Sequence, residues 1–455
     1  MEQDMTRGNP LSVIFMFTLP LAIGNIFQQL YNMADTIIVG RYVGADALAA
    51  VGSTGTVMFL LNGFAQGITA GFAVLTSQRY GAKKMDGVRQ SVSKGILLSL
   101  NGAIGFKAAS LLFMRPLLHL MNTPENIFAQ AYEYISLISL GMVANVFYNL
   151  FSSYLRAVGN SRMPLVFLVL SACFNVVLAL ILIINFKMGV AGAAWATNLS
   201  QAISAVLCAV YIYKKVPALM PEKRHWRFHK GDTRYQLATG IPMALQFAIT
   251  SSGTMVMQSA INLFGSEAVA AYTAAGKIHG VLHQGMVAMG QTMAVYSGQN
   301  YGKGDAGRIR QGVRAALIIE VIYSVASAVV VSAALGPSLG LFFSGEVDLA
   351  AMMPWARTYT TICTLFYVPL CTIFIFRNTM QGCGYGFLPM MGGVVELAAR
   401  LIVAVIAMDI HSYWLACACD PAAWVGAGLF TGISYLYVIK KIEKNLGKGT
   451  AVHKS

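Results

Sequence analysis

The feature that most constrains this chain is a series of long apolar segments that recurs along all 455 residues. Hydrophobic residues make up 56% of the sequence and charged residues only 11%, whereas about a quarter of a soluble domain is charged. A run of about 20 apolar residues can cross a bilayer as a helix. Strands of a membrane barrel would be shorter and would alternate apolar with polar residues. The sequence therefore predicts an all-α integral membrane protein.

Charged or glycine- and proline-rich breaks divide the chain into twelve predicted transmembrane helices. Their predicted spans are 11–39, 47–77, 90–114, 128–155, 163–186, 190–213, 235–263, 269–298, 309–343, 355–382, 388–410 and 413–439. The first span is longer than a signal-peptide core, and no small-residue cleavage site follows it. We therefore expect it to be a retained helix.

Lysine and arginine residues are distributed unequally between the two predicted sides of the membrane. One side carries 23 of them, in residues 79–94, 156–162, 214–234, 303–314 and the C-terminal tail. The other side carries four, namely Arg41, Arg115, Lys187 and Arg357. The positive-inside rule then predicts a multi-pass protein of the cell (inner or cytoplasmic) membrane with both termini in the cytoplasm. The net charge of +14 follows from these loops, so we expect the lipid bilayer and no nucleic acid as a partner.

The second half of the sequence repeats the first. The segment QRYGAKKMDGVRQSV (78–92) resembles QNYGKGDAGRIRQGV (299–313), and Pro20 matches Pro242. The repeat predicts two six-helix lobes, 1–215 and 235–455, joined by a basic cytoplasmic linker at 216–234. Equivalent loops lie on the same side of the membrane, so the lobes are parallel repeats, as in carriers that work by alternating access.

Asp35 is the only charged residue between Leu11 and Val39. A buried ionised carboxylate is costly, and acids inside membrane helices usually mark an ion or substrate path. Its repeat counterpart is Met257, whereas a purely architectural acid would be expected in both lobes. The polar residues Asn25, Gln28 and Asn32 on the same helix are candidates for a substrate cavity.

Other candidates lie in the second half. Met257, Met286 and Met289 belong to a methionine-rich set that suits either an adaptable substrate wall or plain packing. Glu396 and Arg400 are four residues apart on one predicted helix, so they can pair, and Arg377 can join them. This charged cluster fits a neutral structural role as well as a role in coupling.

Several segments resemble the multidrug and toxic compound extrusion (MATE) transporters, and the DinF-like branch in particular. They are TLPLAIGNIFQQLYNMADTIIVGRYVG, QRYGAKKMDGVRQSV, LRAVGNSRMP and GVAGAAWATNLSQ. The resemblance covers roughly residues 10–440. It implies a MATE-type fold and export of organic cations and amphipathic drugs or toxins by antiport with H+ or Na+, without a cofactor. A monomer that transports a small-molecule substrate, and that is not an enzyme, is expected.

The resemblance also implies a cation-coupling site in the N-lobe. Asp35, Asn175 and Thr197 match three family ligands, and they would be metal ligands only if the coupling ion is Na+. The family's second acid is replaced by Ala179, which favours protons, since one carboxyl can carry a proton without a full coordination shell. Pro20 matches a first-helix proline that acts as a hinge. A flippase for lipid-linked precursors is the main alternative, and a channel or scaffold is a third.

Overall fold

The structure is a computed structural model that describes residues 3–121, 123–227, 229–340 and 349–447. Within these ranges the chain forms helices and no strands. The helices of the first half are α1 (Pro10–Tyr42), α2 (Ala45–Ser53), α3 (Gly55–Gly81), α4 (Met85–Leu120), α5 (Glu125–Ala157), α6 (Arg162–Leu180) and α7 (Gly189–Lys215). Those of the second half are α8 (Lys230–Ile261), α9 (Ser266–Lys303), α10 (Ala306–Gly340), α11 (Leu349–Leu365), α12 (Tyr367–Gly382), α13 (Phe387–Asp409), α14 (Tyr413–Cys417) and α15 (Cys419–Gly447).

The predicted spans fall on these helices, and the predicted all-α membrane fold is confirmed. Among the described residues, eight helices are long and apolar enough to cross a membrane. A ninth span results if α11 and α12, which meet at an angle of 49°, are counted together. The remaining predicted spans lie on α4, α8 and α9, which are 36, 32 and 38 residues long but less apolar. Residues 341–343, at the end of the ninth predicted span, lie outside the described residues, as do Lys448 and Lys454 of the tail.

Three predicted spans are interrupted by short breaks. The second breaks at Thr54 between α2 and α3, and the twelfth breaks at Ala418 between α14 and α15. The tenth breaks at Phe366, three residues before Pro369. A proline within the first turn of a helix is tolerated, because the amides of that turn have no partner inside the helix. Pro369 therefore fits a new helix that begins at Tyr367.

The chain divides into two compact units. Unit 1 comprises Met1–Asp4 and Ile23–Ala244, and unit 2 comprises Met5–Ala22 and Leu245–Ser455. The first part of α1, up to Ala22, therefore belongs to unit 2, and the rest of α1 belongs to unit 1. The first part of α8, up to Ala244, belongs to unit 1, and the rest of α8 belongs to unit 2. The predicted lobe boundaries, which follow contiguous chain segments, stay a prediction.

Within unit 1, the start of α8 packs closely against α3. A Cβ added to Gly71 would lie 2.3 Å from the Cα of Gly240, and one added to Gly67 would lie 2.8 Å from the Cα of Ala244. Small residues spaced by four on both helices permit such an approach. The repeat replaces this contact in unit 2 by a hydrogen bond of 2.8 Å from Thr18 Oγ1 on α1 to Thr292 Oγ1 on α9.

The loop after α3 also holds the beginning of α8. Arg79 donates from both terminal nitrogens to the Asp232 carboxylate, at 2.8 and 2.5 Å. The Tyr235 hydroxyl donates to Gln78 Oε1 at 2.9 Å. Gln78 and Arg79 open the first repeated loop motif, so this motif ties the entry of α8 to unit 1.

The second repeated motif, residues 299–313, likewise forms hydrogen bonds to the residues that lead into α1. Met5 N donates to Gln299 Oε1 at 3.0 Å, and Lys303 Nζ donates to the Thr6 carbonyl at 3.0 Å. Arg308 donates to the carbonyl oxygens of Met5, Arg7 and Gly8. The two copies of the repeated motif thus have equivalent roles, because each bonds to the residues at the start of a long helix within its own unit.

Candidate functional site

Asp35 lies on α1, in the part of the helix that belongs to unit 1. The side chain is partly buried, and its Oδ1 atom is buried without a hydrogen-bond partner. A buried carboxylate oxygen without a donor costs free energy unless a proton or a cation neutralises it. Asp35 is therefore set up to take up positive charge.

Asn175 on α6 and Thr197 on α7 lie in direct contact. Asn175 Nδ2 donates to Thr197 Oγ1 at 3.2 Å, and Thr197 Oγ1 donates to the Ala193 carbonyl at 3.1 Å. Asn175 is fully buried, and its Oδ1 atom has no hydrogen-bond partner. The two residues therefore offer a second unpartnered oxygen inside unit 1.

Two tyrosines lie within electrostatic range of Asp35, and sequence reasoning missed both. The Tyr31 hydroxyl interacts with the hydroxyls of Thr197 and Ser200, and it also lies within electrostatic range of Asp35. Tyr134 on α5 lies within range of both Asp35 and Tyr31. Tyr31 precedes Asp35 by four residues and so shares its helix face, which is a signal the sequence offers. No comparable signal marks Tyr134. We call Tyr31, Asp35, Tyr134, Asn175 and Thr197 the Asp35 cluster.

Ala179, at the position of the family's second acid, is fully buried one helical turn after Asn175. It belongs to an apolar cluster that also contains Ile38, Val39 and Ile183. Of the residues matched to family ligands, only Asp35 carries a charge.

The substrate-cavity candidates are divided between the units. Gln28 and Asn32 on α1 are exposed, and Asn25 is partly buried. The three methionines instead pack in apolar cores of unit 2, with Met257 and Met286 in one core and Met289 in another. In this conformation they serve as packing, because each is at most 1% exposed. Contact with a substrate stays a prediction that requires these cores to open.

The charged cluster of the second half lies within unit 2 and has a fourth member. Arg400 Nη2 donates to Glu396 Oε1 at 2.8 Å, which confirms the predicted pairing. Arg377 Nη1 lies 3.8 Å from Glu396 Oε2. Arg400 Nε also donates to Asp420 Oδ1 at 2.8 Å, a partner that sequence spacing does not reveal. Two arginines and two acids make this cluster neutral.

Known proteins share this architecture. A crystal structure of MATE in the bent conformation superimposes with a TM-score of 0.89 at 22% identity, covering 97% of this chain and 98% of that one. A probable multidrug resistance protein, YpnP of Bacillus subtilis, is 30% identical over 67% of this chain and 68% of its own length. DNA damage-inducible protein F of Escherichia coli is 25% identical over 69% of this chain and 70% of its own length.

The fold is thus that of a helical membrane transporter. The MatE family model matches residues 20–181 and 242–406, and the chain belongs to the MatE family. The resemblance carried by the sequence motifs is confirmed. The protein is a transporter and not an enzyme.

Proposed function

We propose that this protein exports organic cations and amphipathic drugs or toxins in exchange for protons, with Asp35 as the coupling group. Its membership of the MatE family and a relative named as a probable multidrug resistance protein support export of such compounds. The cytoplasmic or inner membrane, with both termini in the cytoplasm, is the proposed location because basic residues concentrate in alternate loops.

The observation that carries the proposal is the unpartnered Oδ1 atom of Asp35. A proton would remove the charge of this carboxyl group directly. A sodium ion would need several oxygen ligands, of which Asp35, Asn175 and Thr197 could supply three, with only one carboxylate among them. Since Ala179 replaces the second acid, we favour the proton as the coupling ion.

Helix α1 offers a route from the coupling group to the rest of the transporter. Its residues from Ile23 onwards belong to unit 1, and those up to Ala22 belong to unit 2. Pro20 lies inside the helix, two residues before this change, where it removes one backbone hydrogen bond. We propose that protonation of Asp35 alters the bend of α1 at Pro20 and so changes the access of the substrate site.

Efflux of ethidium from proteoliposomes under an imposed pH gradient, or under an imposed sodium gradient, tests the proposal. The pH gradient is expected to drive efflux, and Asp35→Asn should abolish that drive. Asp46→Asn, at an exposed acid in the first turn of α2, is the matched control and should leave efflux unchanged. Gradient-driven efflux by Asp35→Asn at the wild-type rate would refute the role of Asp35.

The same assay addresses the coupling ion. Sodium-driven efflux by the wild type would show that the single carboxylate suffices for Na+. If only Ala179→Asp responds to the sodium gradient, the missing acid is what excludes sodium coupling.

The arginines of unit 2 support a flippase for lipid-linked precursors less well than they support a drug exporter. A pyrophosphate headgroup needs free cationic side chains in the cavity. Arg377 and Arg400 are the buried arginines of α12 and α13, and both lie beside acids.

A further inference from the structure

Helix α10 carries a buried acid that the coupling mechanism above does not use. Glu320 lies near the middle of this helix and is 2% exposed. Val313, Ala316, Ser324, Ser327 and Val331 are also buried, so they mark the inner face of the helix. Ile322, on the other face, is 65% exposed, as a lipid-facing side chain of a membrane helix would be.

One oxygen of the Glu320 carboxyl group lacks a donor. Its Oε2 atom is buried without a hydrogen-bond partner, and so is the Oγ atom of Ser324, one helical turn further on. The titratable neighbours Tyr323 and Cys371 donate their hydrogen bonds to backbone carbonyls and not to Glu320. The Tyr323 hydroxyl donates to the Leu282 carbonyl at 2.6 Å, and the Cys371 thiol donates to the Val368 carbonyl at 3.1 Å.

Charged groups on the neighbouring helices do not compensate Glu320 either. Helices α9, α11, α12 and α15 pack against α10. Among the described residues, Tyr323 and Cys371 are the titratable groups that interact with Glu320.

Other titratable and charged groups of those helices pair with other partners or are exposed, and His283 has a buried Nε2 atom without a hydrogen-bond partner. His279 on α9 contacts Thr360, and His283 interacts with Asp420, Arg377 and Arg400. Arg357 on α11 is exposed. Near the end of α15, Glu443 pairs with Arg310.

Unit 2 therefore contains two kinds of buried acid. Glu396 and Asp420 each bond to Arg400 at 2.8 Å, and Arg377 supplies the second positive charge, 3.8 Å from Glu396. Glu320 has no such partner, and an uncompensated carboxylate in that setting is strongly disfavoured. Its environment resembles that of Asp35 in unit 1, where one carboxylate oxygen is also buried and unpartnered.

We propose that Glu320 is a second proton-binding site of the transporter, located in unit 2. The proton adds to a carboxylate oxygen from water on one side of the membrane, and it returns to water on the other side when the inner face of α10 becomes hydrated. The inference rests on the proposed proton-coupled function, and it adds a second proton to each transport cycle.

Counting protons tests the inference in the purified, full-length protein. Calorimetric titration with ethidium in buffers of different ionisation enthalpy gives the number of protons released per ethidium bound. Glu320→Gln is expected to release one proton fewer than the wild type. Glu133→Gln, at an exposed acid of α5, is the matched control and should match the wild type. A wild-type proton count in Glu320→Gln would overturn the inference.

The two proposals fail separately in this experiment. If Asp35→Asn releases one proton fewer and Glu320→Gln does not, the inference about Glu320 is wrong and the role of Asp35 stands. If Glu320→Gln alone lowers the count, Glu320 binds a proton and the assignment of Asp35 is wrong.

A measurement on the wild-type protein covers the case in which Glu320→Gln fails to fold. Dicyclohexylcarbodiimide reacts with protonated carboxyl groups in apolar surroundings, and mass spectrometry locates the adduct. Labelling of Glu320 is expected to fall as pH rises and to fall further when ethidium is added. Absence of the adduct, or labelling that does not change with pH, would overturn the inference.

Discussion

Arg400 determines how the acids of the charged cluster in unit 2 are held. Its guanidinium group bonds to Glu396 and to Asp420, and all three side chains are at least 88% buried, with relative exposures of 4%, 7% and 12%. Removing one member of a buried ion pair leaves the other charge uncompensated, which typically costs about 3–5 kcal/mol. The cluster therefore stabilises unit 2 only as a complete set.

Arg400→Gln is expected to lower the free energy of unfolding by about 3 kcal/mol or more, because two buried carboxylates lose their cation. Denaturant unfolding of the purified protein in detergent measures this change. Arg357→Gln removes an exposed arginine of α11 and should change the free energy by less than about 1 kcal/mol. Equal stabilities for the two variants would contradict the prediction.

The Tyr31 hydroxyl interacts with the hydroxyls of Thr197 and Ser200, and it lies within electrostatic range of Asp35. Tyr31→Phe removes only the hydroxyl, and a single net hydrogen bond corresponds to a factor of about 2–10. We expect proton-driven ethidium efflux to slow by about that factor. Tyr42→Phe, at a tyrosine of the same helix that is 51% exposed, should transport at the wild-type rate. The prediction fails if the two variants transport equally fast.

At the scale of helices, the contact of α3 with the start of α8 depends on glycine. A Cβ on Gly71 would meet the Gly240 backbone, whereas a Cβ on Gly102 of α4 would meet nothing within 4 Å. Gly71→Ala should therefore destabilise the protein by about 1–3 kcal/mol, the usual cost of overpacking. Thermal unfolding of Gly71→Ala beside Gly102→Ala measures the difference, and equal midpoints would refute the close approach.

The helices were more predictable than the breaks between them. Apolar length predicts the long helices, since each must satisfy its backbone inside the membrane. The breaks at Phe366 and Ala418 each lie three residues before a proline, Pro369 and Pro421, whereas the break at Thr54 is not followed by one. The break at Thr54 depends on how neighbouring helices pack, which local propensity does not encode.

The candidate site was predictable in part, for a similar reason. Asp35 is conspicuous because its charge stands in an apolar segment. Tyr134 is 99 residues away in sequence and Asp420 is 20 residues beyond Arg400, so tertiary packing alone brings them to their partners. The methionines show that residue type alone can mislead. Methionine suits a substrate wall, but the structure uses these side chains for packing in an apolar core.

At the scale of the whole molecule, the unequal distribution of lysine and arginine predicts the orientation in the membrane. The test places single cysteines in a protein whose seven native cysteines have been replaced. Lys215→Cys should react with a membrane-impermeant maleimide only in inverted vesicles, because that residue is predicted to be cytoplasmic. Lys187→Cys should react in intact cells. Both positions are exposed, so the reversed pattern would mean the opposite orientation.

The exchange of half-helices between the units affects how the protein must be made. Unit 1 needs residues up to Ala244, so more than half of the 455-residue chain leaves the ribosome before this unit has all its parts. The residues Met5–Ala22 are synthesised before the segment Ile23–Ala244, yet the rest of their unit follows that segment. During insertion into the membrane, Met5–Ala22 must therefore wait for partners that are translated hundreds of residues later.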